Sequence, residues 1–143
     1  MLQVQKMGKL CSALVFMLFT ALTSLTFTGC GSDPEKEAGE HVVKYLNTLM
    51  SGNVEQAADM IYLPEPKAQA RAMLLGKMGA IVPSMMEEAE AKGGIKNIVV
   101  EKVEKQTEEG KYVVYVRTEF GNGTNNQGKQ TVITKDGKMY IGK

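Results

Sequence analysis

Residues 95–142 read IKNIVVEKVEKQTEEGKYVVYVRTEFGNGTNNQGKQTVITKDGKMYIG. Val, Ile, Tyr and Thr dominate four runs, Ile95 to Lys105, Lys111 to Phe120, Gln127 to Lys135 and Lys138 to Gly142. Turn-forming residues separate them: Glu109-Gly110, the stretch from Gly121 to Asn126, and Asp136-Gly137. β-Branched and aromatic residues fit a pleated, half-buried surface, so the runs read as strands. Asp-Gly between alternating residues is a hairpin signal, because both positions tolerate positive φ. The second half of the chain therefore predicts a four-stranded antiparallel meander.

Upstream of Gly93-Gly94 the period changes from two to 3.6 residues. Asp33-Pro34-Glu35 reads as a helix start, with Asp as N-cap, Pro at the first helical position and Glu facing the positive end of the dipole. Ala38, Val42, Tyr45, Leu46 and Leu49 then form one apolar stripe, and Gly52 ends the helix. Asn53, with Gln56 three residues on, predicts a second N-cap, followed by a short helix whose inner face is Val54, Ala57, Ala58 and Ile61. Pro64 and Pro66 open a loop. From about Lys67 to Ala91, Leu74, Leu75, Met78, Ile81, Val82, Met85, Met86 and Ala89 repeat as a wide face expected to cover the core. Pro83 removes a hydrogen bond and clashes with the carbonyl of Gly79, which predicts a kink or a break there. Helices first and a meander second give an α+β class, with N-terminal helices packed on one face of a curved four-stranded antiparallel sheet.

The beginning of the chain has a different character. Lys6 and Lys9 precede an apolar stretch from Leu10 to Phe27, and the first acid is Asp33. A basic start, apolar middle and small-residue exit is the order of a secretory signal. Phe27-Thr28-Gly29-Cys30 resembles the lipobox of bacterial lipoproteins, in which the Cys sulfur receives a diacylglyceryl group before cleavage. The resemblance implies a signal peptide over residues 1–29, a lipidated Cys30 with a short tether to residue 33, and a domain over residues 34–143. Two or more acyl chains give stable anchoring, so the membrane itself is the first expected partner. Gly31 stands where an Asp would signal inner-membrane retention, which directs the expectation to a periplasm-facing outer membrane in the cell envelope.

With Cys11 in the discarded segment and Cys30 lipidated, the expected domain has no thiol for a disulfide, a thiolate metal site or a nucleophile. Without Lys6 and Lys9, 15 Lys and Arg face 16 Asp and Glu. Interspersed charge of both signs lacks the basic stripe of a nucleic-acid binder. The acidic and mixed runs at Glu87-Glu88-Ala89-Glu90 and Glu101 to Lys105 read as solvated faces.

The order of helix, Ser51-Gly52-Asn53 turn, helix, long helix and strands ending Lys135-Asp136-Gly137-Lys138-Met139-Tyr140-Ile141 resembles small bacterial lipoproteins of the nuclear transport factor 2-like (NTF2-like), or cystatin-like, superfamily. Within it the similarity points to a family of unknown function related by label to lumazine-binding proteins. Met139 stands where that family usually carries Trp. The resemblance implies a cone, a curved sheet folded around the long helix, in which several superfamily members hold a ligand or a catalytic carboxylate.

An isomerase or dehydratase in such a cone needs an acid or His in an apolar pocket with an orienting partner. The candidates are His41, Asp59, Glu101, Tyr115 and Glu119. His41 is the only His, so no site can be built from paired imidazoles. Its place beside Val42 predicts the edge of the buried stripe. Asp59 is expected in solvent, and Glu119 is expected to pair with Arg117 across the sheet surface. Gly121-Asn122-Gly123 is followed by no helix and is read as a hairpin loop instead of a phosphate cradle. No catalytic residue, metal or cofactor is assigned.

Three functions remain. The first is a non-catalytic envelope interaction module, using the exposed sheet face or the Gly121 to Gly128 loop to hold a protein or cell-wall partner. The second is a small-ligand carrier or sensor using the cone pocket, with Tyr45, Tyr62, Met78, Met85 and Tyr115 as candidate ligand contacts. The third is an isomerase or dehydratase using His41 or Glu119 as base. The open sheet face is also available for a homodimer. Cys30→Ser in the native host is expected to leave an uncleaved, lipid-free precursor visible by mass spectrometry; normal cleavage to the same mature mass would contradict the anchor.

Overall fold

The computed structural model describes residues 33–143, which form one compact unit, Asp33–Lys143. Residues 1–29, expected to be a signal peptide, and Cys30, expected to carry lipid, lie outside the described residues. Three helices, α1 (Pro34–Met50), α2 (Val54–Asp59) and α3 (Lys67–Ala91), precede four strands, β1 (Ile95–Lys105), β2 (Lys111–Phe120), β3 (Asn125–Lys135) and β4 (Lys138–Gly142). The strands form an antiparallel sheet in the order β1-β2-β3-β4. The expected α+β class and four-stranded meander are what the chain adopts.

Local chemistry explains the boundaries. The Asp33 carboxylate accepts from the amide of Glu35 at 3.1 Å, and Pro34 occupies the first turn. Asn53 precedes α2 but makes no side-chain capping bond, and α2 ends at Asp59, so Ile61 lies beyond it. Ile61 instead forms a parallel bridge to Ile141: the amide of Tyr62 donates to the Ile141 carbonyl at 2.8 Å, and the amide of Ile141 donates to Met60 at 2.7 Å. β3 starts two residues earlier than its β-forming residues suggest, because Asn125 and Asn126 pair with Glu119 and Thr118 on β2. Asp136 and Gly137 both take positive φ, 51° and 74°, as the β3–β4 hairpin requires.

One expectation for α3 is narrowed and one corrected. Of the kink or break expected at Pro83, the break does not occur, and the helix runs on through that residue. Pro83 and Gly79 are both exposed, so the carbonyl that loses its donor faces solvent. Nor does α3 bury its whole apolar stripe: Met78, Val82 and Ala89 are buried, whereas Ile81, Met85 and Met86 are exposed, as is Met73 outside the stripe. α1 is the helix that lies on the sheet, and α3 packs on α1 and α2. The core joins Ala38, Val42, Tyr45 and Leu49 of α1 to Tyr112, Val114, Val116, Val132 and Ile141 of the sheet, with Val42, Val114 and Val132 completely enclosed.

The β2–β3 loop is tied to the α3–β1 turn by backbone alone. The amide of Gly121 donates to Gly94 and that of Asn122 to Lys92, each at 2.9 Å. A Cβ on Gly121 would sit 2.2 Å from the Gly93 carbonyl oxygen, which backbone cannot yield. Gly121→Ala is therefore expected to lower unfolding stability by about 1–3 kcal/mol in chemical denaturation; an unchanged midpoint would contradict this docking.

Candidate functional site

The interior of the cone is bounded by the C-terminal half of α1, the last turns of α3 and the ends of β1 and β2. It holds a cavity of about 150 Å³ lined by Leu46, Met50, Met85, Ile98, Thr118 and Phe120, with Glu88 and Asn126 at its margin. The Glu88 carboxylate is committed to Lys92, whose ammonium lies 2.6 Å away and also stands 4.9 Å above the Phe120 ring. The hydrogen bond from Lys92, with its charge, holds Glu88 below the usual carboxylate range. The wall of the cavity is thus apolar, and its one acid is neutralised by a neighbour a helical turn away.

The candidate ligand contacts occupy separate places. Tyr45 and Met78 are buried in the core, where burial pushes the Tyr45 phenol up. Met85 alone of the five lines the cone cavity. Tyr115 is on the opposite sheet face and donates to Glu104 at 3.0 Å. Glu104 also pairs with Lys102, and these two partners, Lys102 foremost, hold its carboxylate low. Tyr62 is exposed and meets Tyr140 edge to face, ring centroids 5.9 Å apart. Those two rings border a cleft of about 480 Å³ near Asp59 and Arg71. Lys67, Ala68, Lys135 and Asp136 on its rim are exposed, so the cleft lacks the enclosure that buries most of a small ligand.

The acids singled out by sequence are held by basic side chains. Asp59 accepts from Arg71 at 2.9 and 3.2 Å. On the outer sheet face Arg117 bridges Glu101 at 3.1 Å and Glu119 at 3.2 Å, and Gln127 adds a bond to Glu101 at 3.3 Å. The cross-strand register creates this lattice: Arg117 sits opposite Val99 and Gln127, and the β1 irregularity between Val100 and Lys102 brings Glu101 to the same face. The Glu119–Arg117 pair was legible from their alternation; the part played by Glu101 depended on a bulge that no periodicity reveals.

His41 lies at the edge of the buried stripe on α1, half-buried, with Nε2 enclosed and without a partner among the described residues. Burial lowers its pKa from 6.5, and a backbone bond at Met60 acts in the opposite sense. It does not line the cone cavity. Among the described residues no group of three or more His, Cys, Asp or Glu could hold a metal ion, and no helix is long and apolar enough to cross a membrane.

A solved structure shares this architecture: a Campylobacter jejuni protein described as a "Putative NTF2-like transpeptidase", with TM-score 0.65 and 23% identity, covering 78% of this chain and 99% of that one. The fold is NTF2-like. No family model and no curated protein matches the chain. In the NTF2-like domain seen here, the long helix lies beside α1 and leaves the sheet to it, so the cone interior is narrow.

Because the folded pKa of His41 is below its unfolded value, the contribution of this group to stability is fully present above pH 6.5. As pH falls below 6.5 the unfolded chain takes up a proton that the folded chain refuses, and stability declines. Thermal denaturation of His41→Gln is expected to show a shallower decline than wild type before the carboxylates titrate near about pH 4. Identical slopes would contradict the buried, neutral imidazole.

Proposed function

We propose that this protein is a lipid-anchored, non-catalytic interaction module of the bacterial envelope that holds a protein partner on the outward face of α3. One observation carries the reading. From Ala72 to Met86 the helix has a single charged residue, Lys77, yet only Met78 and Val82 of that stretch are buried. A helix that is apolar all round is normally enclosed on all sides. Here one side is packed on α1 and α2, while Ala72, Met73, Gly76, Gly79, Ala80 and Pro83 remain exposed. A contiguous apolar surface rimmed by charge marks a docking site more often than a free surface.

The cone cavity supports a carrier less well. Drug-sized ligands occupy roughly 300–1,000 Å³, and a cavity of about 150 Å³ accommodates a body of benzene size. Of the two candidate bases, Glu119 is tied to Arg117 and His41 is outside the cavity, and the other candidate acids, Asp59 and Glu101, are paired with Arg71 and Arg117, which favours a surface role over proton transfer. The neighbour's description as a transpeptidase concerns that protein, and at 23% identity the likeness extends to the fold.

Native mass spectrometry of the lipidated chain, taken gently from its host's membranes, is expected to show a retained protein mass that is lost in Ala80→Glu. A small stoichiometric adduct released on denaturation would instead establish the carrier reading and overturn this one.

A further inference from the structure

We infer that the partner on α3 is a second copy of this chain, docked antiparallel, with Lys77 of each copy facing Glu87 of the other; this rests on α3 being the docking face. The charges along α3 are segregated. Lys67, Arg71 and Lys77 lie in its first half, and Glu87, Glu88 and Glu90 in its last turns. That order opposes the helix's own dipole, which favours acids at the start and bases at the end. Near neighbours compensate part of it: Glu65 serves Lys67, Asp59 serves Arg71, and Lys92 serves Glu88. Lys77, Glu87 and Glu90 have no ion-pair partner among the described residues.

The unpaired charges match an antiparallel copy. Lys77 and Glu87 are ten positions apart, about 15 Å along the axis and about 80° around it, both on the side turned away from α1. Reversing a second helix against the first sets each Lys77 level with the other copy's Glu87. The two contacts are equivalent, as a two-fold, self-complementary interface requires. Between them on the midline lie Ala80 and Ser84, small residues that let the helices approach, flanked by Pro83 and by the exposed Ile81, an apolar side chain for each copy to pack against the other. A Cβ added at Gly76 would meet nothing within 4 Å, so the face has room for a neighbour. A parallel copy would set Glu87 against Glu87 and gains nothing from this arrangement. A basic or acidic partner of another kind would satisfy one end of the helix and repel the other.

Sedimentation of the full lipidated chain in detergent micelles tests the assignment. Wild type is expected to dimerise. Lys77→Glu and Glu87→Lys, both at exposed positions, should each raise the dimer dissociation constant by about tenfold, since each replaces two attractions by two repulsions. The double variant should recover to within about threefold of wild type, a restoration that misfolding cannot imitate. A wild-type chain that stays monomeric, or single variants that dimerise as well as wild type, overturns the second copy as occupant. If the native mass experiment then retains a different protein lost in Ala80→Glu, the docking face stands and only its occupant was misassigned. If α3 is shielded solely by added vesicles, the membrane surface is the occupant and both readings fall.

Discussion

The packing of α1 against the sheet governs everything else in this structure. The meander has one apolar face, and α1 covers it, with Val42 enclosed among the strands and Gly39 so close to β1 that a Cβ there would lie 3.3 Å from Val100. Close-packed interiors admit one element per place. Once α1 occupies the sheet, the longer and more apolar α3 is left to the flank. It buries Met78, Val82 and Ala89 and leaves the rest of its surface open. The small cone cavity, the exposed stripe and the proposed docking of a second copy all follow from that one allocation.

The same allocation explains why the chemistry expected of a cone is displaced to the outside. Inward positions of β2 are taken by Tyr112, Val114, Val116 and Phe120, and so the ionisable residues of the alternating pattern, Arg117 and Glu119, are directed to the opposite face. There they form a cross-strand lattice with Glu101 and Gln127. Such a lattice orders a surface and prevents strand slippage without presenting an unengaged base to a substrate.

Most of the fold was readable because its signals are local. Helix starts at Asp33 and Lys67, the Asp136-Gly137 turn and the strand runs depend on residues within a few positions of one another. Failures came where the outcome depended on distant competition. Periodicity showed that α3 is apolar, and could not show that α1 would take the sheet first. It marked Ile81, Met85 and Met86 as core, yet their burial depended on a neighbour the chain does not place there. The bulge that turns Glu101 outward and the bridge that carries Ile61 to Ile141 are likewise long-range pairings. The candidate ligand residues separated for the same reason: Tyr45, Tyr62 and Tyr115 share a chemistry and not a location.

The claim that α3's outward face is covered in the native protein is tested most directly by methionine oxidation at Met73, which is 59% exposed in the single chain, against the buried Met78. In membranes from the host, with peroxide as the probe and peptide mass spectrometry as the readout, Met73 should react nearly as slowly as Met78. It should become fast when the chain is diluted in detergent until it is a single copy. Rapid oxidation of Met73 in the membranes, at the rate of a methionine in an unfolded peptide, would mean that the face is open and would contradict the account.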